Sequence, residues 1–106
     1  MRTFSTMGSM GVTTRIASTD SAAGITSTLL YDSSTGRHAT AATLSFETNN
    51  IRVGFRVSPT QGASGVGHLL YPGDSWRIVG RENLEQFKAI SAINGAAGAY
   101  QITLEY

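Results

Sequence analysis

Residues 41–57, AATLSFETNNIRVGFRV, decide the fold class. In IRVGFRV, Ile51, Val53, Phe55 and Val57 fall on one side of an extended chain, and Arg52, Gly54 and Arg56 on the other. Successive side chains of a strand point to opposite faces, so this alternation predicts a strand with one buried face and one solvent face. ATLSFET repeats the pattern, with Leu44 and Phe46 inward and Ser45 and Glu47 outward. Asn49-Asn50 between them is tight-turn chemistry, because asparagine tolerates positive φ. The stretch therefore reads as a β-hairpin.

Towards the C-terminus the same period persists. Tyr100, Ile102, Leu104 and Tyr106 share a face of AYQITLEY, with Gln101, Thr103 and Glu105 opposite. QFKAISAIN reads as the preceding strand and NGAAG, residues 94–98, as the turn between them. HLLYP and SWRIV flank Pro72-Gly73-Asp74, a strong turn signal. RENLEQ suits a single helical turn capped by Asn83. Towards the N-terminus, VTTRIAS predicts a short strand with Val12, Thr14 and Ile16 on one face. ITSTLLYD reads as a strand ending at the Asp32-Ser33-Ser34 turn. A helix capped by Asp20 competes for this stretch, against the resistance of Gly24, Ile25, Thr26 and Thr28. Short strands separated by Gly, Asn and Pro turns predict an all-β fold, a small antiparallel β-sandwich of jelly-roll-like form. Residues 1–24 read as an extended N-terminal arm with the first short strand, and residues 25–106 as the β domain. The first ten or so residues are expected to order only against a partner.

The bulk composition bounds the function. The chain has 106 residues, enough for one core and a thin stability margin. Hydrophobic residues make up 41% and charged residues 14%, against about 25% charged in a typical domain. A surface carried by hydroxyls suits a protein packed against neighbours. The net charge of +1 offers no electrostatic case for nucleic acid. No apolar run is long enough for a membrane span, and MRTFSTMGSMGVTT lacks a signal-peptide core. With no cysteine, thiolate chemistry and zinc–cysteine sites are excluded.

The stretch GASGVGH, residues 62–68, is the strongest mimic of a catalytic motif. A phosphate loop would need Lys after its last glycine, and a nucleophile elbow would need glycine where Val66 stands. The glycines read as a loop between strands, supplying positive φ or close packing. His38 and His68 lack the flanking carboxylates of a metal site and read as polar groups at strand ends. The acidic residues read as turn, cap and outer-face positions, so no acid, base or nucleophile pairing emerges. No enzyme activity, cofactor or metal is expected.

Two surface readings remain. Arg52 and Arg56 project from one strand face, with Arg77 and Arg81 on later elements; arginine is enriched at interfaces, and a solvated sheet face is the alternative. Trp76 and Tyr71 are candidates either for a sugar-stacking platform or for core and interface filling. The candidate interface residues are thus Arg52, Arg56, Tyr71, Trp76 and Arg77.

The order of these elements resembles a group of small structural proteins of tailed bacteriophages. Their x-x-V-x-F strand is matched by Val53 and Phe55, and their G-D/E turn by Gly73-Asp74. Phe87 with Ile90 matches the F-x-x-I/A strand, and Ile102 to Tyr106 the terminal T-L-T-Y-like strand. The match covers about residues 40–106. The resemblance implies a β-sandwich virion component, in the first place a capsid decoration or cement protein assembled in the host cytoplasm. Its partners would be the major capsid protein or other virion subunits, and copies of itself, with a trimer expected from threefold lattice sites. A neck or tail accessory protein, or a carbohydrate- or receptor-binding module on a fibre, is the alternative.

Overall fold

In a computed structural model, residues 10–106 are described. Residues 1–9 of the sequence-predicted arm lie outside the described residues. The chain is mostly β, in antiparallel sheets. Its strands are β1 (Thr14–Ala17), β2 (Ala23–Gly24), β3 (Tyr31–Asp32), β4 (Arg37–His38), β5 (Ala41–Thr48), β6 (Ile51–Phe55), β7 (His68–Leu70), β8 (Ser75–Val79), β9 (Phe87–Ser91) and β10 (Ala99–Glu105). Two short helices, α1 (Ser27–Leu30) and α2 (Arg81–Gln86), interrupt them. One four-stranded sheet runs β1-β10-β5-β8 and the other β2-β9-β6-β7, with β3-β4 as a separate ribbon.

The alternating residues behave as their period dictates. Leu44, Phe46, Ile51, Val53, Tyr100, Ile102 and Leu104 are buried in one core fed by both sheets. Phe87 of β9 meets Tyr100 of β10 at a ring-centroid distance of 6.3 Å, and Tyr100 meets Phe46 at 5.5 Å, so an aromatic cluster bridges the sheets. Full burial of each such side chain contributes about 1.5–3 kcal/mol. Thr14 and Ile16 of β1 turn inward against β10, whereas Val12 stays exposed.

The expected hairpin over 41–57 is corrected. β5 pairs with β10 and β8, while β6 pairs with β7 and β9, so the two strands lie in different sheets. A two-residue type I′ hairpin needs positive φ at both central residues. Here only Asn49 adopts it, at φ 51. The Asn49-Asn50 link carries the chain across the core, and Asn49 Nδ2 donates to Ala97 O at 2.9 Å. The β7–β8 and β9–β10 links also change sheets, whereas β6 to β7 stays within one. The Pro72-Gly73 turn forms as read, with Gly73 at φ 95 and Tyr71 N–H donating to Asp74 Oδ2 at 2.8 Å.

Three local readings also change. Residues 27–30, read as strand within ITSTLLYD, close a helical turn in which Leu29 and Leu30 N–H donate to Thr26 O. This turns both leucines onto the core. The helix at RENLEQ forms, but Gly80 at φ 107 occupies its N-cap, and Asn83 sits inside it, donating to Val79 O at 2.9 Å. Strand β6 stops at Phe55. Arg56 takes φ 65 and Val57 is exposed, so Arg52 and Arg56 do not share a strand face.

Candidate protein interface

The glycine-rich loop explains where Arg52 goes. Residues 56–67 connect β6 to β7 and fold back over the outer face of their sheet. That face carries Leu69, Arg52 and Ile90 side by side in register. The Arg52 guanidinium donates to Gly67 O at 3.0 Å and to Gly62 O at 3.2 Å, clipping the loop down. Thr60 N–H donates to Val66 O, and Val66 N–H to Thr60 Oγ1, closing the loop on itself. A Cβ on Gly65 would lie 2.2 Å from Thr60 O and 2.7 Å from Arg52 Nε, so only glycine permits this approach. The sequence reading of these glycines as packing and turn residues thus has a concrete cause. Arg52 is half-buried beneath its own loop and is not presented to a partner.

Asp20 anchors the same region. Its carboxylate accepts from Gln61 Nε2 at 2.8 Å and from Gly95 N–H at 3.0 Å, joining the N-terminal segment to two loops. The Gln61 bond first, and then the Gly95 bond, hold its pKa below the usual carboxylate value. Sequence had placed Asp20 only as a turn or cap residue, and no local spacing reports partners that far along the chain.

The other candidates separate. Arg56 lies past the end of β6 and bonds Glu82 of α2 at 2.6 Å, with both groups exposed. Such pairs contribute about 0–1 kcal/mol. Tyr71 is exposed in the β7–β8 turn. Trp76 of β8 faces inward and is partly buried. Phe55 and His68 stand nearly perpendicular to it, at centroid distances of 5.8 and 5.6 Å. Two rings against the indole leave it no place in a flat sugar platform. Arg77, its neighbour, points to the outer face and makes a two-pronged contact with Glu105 of β10, which the strand order brings within reach. The Glu105 bond raises the Arg77 pKa further above its usual value. Glu105 itself, an outer-face position in the sequence, is buried there, a state that alternation alone does not signal.

Only Trp76 and Arg77 of the five residues meet at one feature. They line a groove of about 280 Å³ with Phe55, Ile78, Val79 and Asn83, alongside β8. His38 packs on Tyr31 at 4.7 Å, away from the His68–Trp76 contact. Among the described residues, no group of three or more His, Cys, Asp or Glu side chains is placed to hold a metal ion. What the geometry brings together along β8 is strand surface, an ion pair and apolar side chains. No family model, curated protein or solved structure matches the chain.

Proposed function

We propose that the chain is a structural virion protein of a tailed phage, a decoration or cement subunit that binds the assembled capsid shell and stabilises it. The reading includes the finer fold: a jelly-roll β-sandwich. What supports it is the wiring. The sheet orders β1-β10-β5-β8 and β2-β9-β6-β7 are those of a jelly roll in which β1/β2, β5/β6, β7/β8 and β9/β10 face one another across the core. Two interleaved Greek keys have this order, and jelly rolls recur in capsid proteins. The resemblance carried by Val53, Phe55, Gly73-Asp74 and the C-terminal strand points the same way.

In this role the protein works by binding alone. The outer face of the β1-β10-β5-β8 sheet is the docking surface, since on the opposite sheet the 56–67 loop folds over Arg52. Its hydroxyls and paired charges suit a polar, wet contact with shell subunits. The experiment is mass spectrometry of purified virions, followed by heating of particles that lack the protein. Stoichiometric presence and genome loss at a lower temperature in its absence are expected. Absence from purified particles overturns the reading.

A further inference from the structure

Strand β8 ends its sheet: among the described residues it pairs with β5 only. The ladder fixes which of its backbone groups are spent. Phe46 N–H donates to Asp74 O, and Gly80 N–H donates to Thr40 O. In an antiparallel pair, opposed residues alternate between exchanging both backbone bonds and exchanging none. With Ala42 opposite Ile78 and Leu44 opposite Trp76, the groups of Ile78 and Trp76 serve β5. Those of Ser75, Arg77 and Val79 point to the open edge. Val79 O is taken by Asn83 Nδ2 at 2.9 Å. Ser75 and Arg77 each keep a free N–H and a free C=O among the described residues.

Open edges are ordinarily blunted by brevity, proline, charged side chains or a bulge. The other edge strands are brief: β1 has four residues, β7 three and β2 two. β8 has five, SWRIV, without proline, in unbroken register with β5, and its one charge, Arg77, is paired with Glu105. Beside it runs the groove lined by Phe55, Trp76 and Ile78. An extended strand laid on this edge would satisfy the free backbone groups and fill the groove with its inward side chain.

We propose that the strand is β8 of a second copy, paired antiparallel across a two-fold axis, so that the two β1-β10-β5-β8 sheets become one. The edge is its own complement under such an axis, and charge and capping choose the register. Placing Arg77 opposite the second copy's Arg77 would oppose like charges. Placing Arg77 opposite the second copy's Val79 would need the carbonyl that Asn83 already holds. Placing Ser75 opposite the second copy's Arg77 uses only free groups and pairs every backbone N–H and C=O that Ser75 and Arg77 turn to the edge. That register sets Trp76 against its own counterpart on the axis, over the groove. Arg77 enters already neutralised by Glu105. The pair is two-fold, in place of the threefold assembly expected from the sequence. It does not depend on the virion reading, because a protein can dimerise through β8 and still be absent from particles.

The test uses the protein alone. Sedimentation equilibrium from about 1 to about 300 μM should show a monomer–dimer equilibrium. Over that range, amide exchange at Ser75 and Arg77 should slow by about tenfold or more. Trp76, the one tryptophan, should shift its emission to the blue in step. Arg77→Pro removes an edge N–H and should abolish dimerisation, whereas Arg77→Ala keeps that N–H and should retain it. The exchange readout on the unmodified protein stands even if the proline variant fails to fold. A monomer at every concentration overturns the proposal, whether the Arg77 amide is open or is already covered by residues 1–9 or another segment. A dimer whose Ser75 and Arg77 amides remain unprotected overturns it too.

Discussion

The two outer faces of this molecule began as the same kind of sequence and became different surfaces. On the β1-β10-β5-β8 sheet, outward residues pair laterally: Thr13 with Thr103 at 2.6 Å, Arg15 and Gln101 with Glu47, Arg77 with Glu105. On the opposite sheet the outward row Leu69, Arg52 and Ile90 lies beneath residues 56–67, and Ile90 keeps only 6% exposure. Arg77 and Arg52 occupy equivalent alternating positions in SWRIV and IRVGF. One, itself exposed, covers a buried carboxylate; the other, half-buried, holds loop carbonyls. Alternation reports that a residue points away from the shared core, and nothing about what then covers it.

Three measurements bear on that contrast, from the largest effect to the smallest. The first engages the core common to both faces. Burial pushes the Tyr100 hydroxyl up to about 12, from 10.0. The unfolded chain ionises near pH 10 and the folded one resists, so stability is intact below pH 10 and falls as pH rises towards 12. A shift of this size corresponds to about 3 kcal/mol. Urea titrations across that window, monitored by amide exchange, should show both sheets weakening together. Loss confined to one sheet would mean that they do not unfold as a unit. The second measurement isolates the covered face. Arg52→Met leaves Gly62 O and Gly67 O without their donor and should cost about 1–3 kcal/mol. Exchange should accelerate across residues 58–67 and stay unchanged in β10. The third isolates the open face. Thr103→Val removes one exposed hydroxyl bond and should move stability by no more than about 0.5 kcal/mol. A larger loss there would mean that the open face is as built-in as the covered one.

Much of the fold was legible because burial obeys the period of the strand. Ile51, Val53, Leu44, Phe46, Tyr100 and Ile102 were assignable to a core from spacing alone. Their partners were not. Phe46 and Val53 keep the same phase whether their strands form a hairpin or face each other across a core, so AATLSFETNNIRVGFRV fits both. The deciding facts are the single positive φ at Asn49 and the flanking strands that occupy both edges of β5 and of β6. Nothing within the segment carries them. The candidate interface fared similarly. Trp76 was visible as a large aromatic residue, but its contacts with Phe55 and His68 depend on that same wiring. Glu105 was readable as outward, while the guanidinium that covers it comes from residue 77.

The register that sets Thr14 opposite Ile102 has a temporal meaning. β10 lies between β1 and β5, so the first sheet lacks its middle until residues 99–105 are available. β1 has no strand partner until then, whereas β5 and β8 can already pair. Because so many pairings close long loops, the chain should fold on the slow, millisecond-to-second side of small domains. During synthesis the edge of β5 that β10 fills would stay open until residues 99–105 emerge, a strand edge open to pairing with other chains.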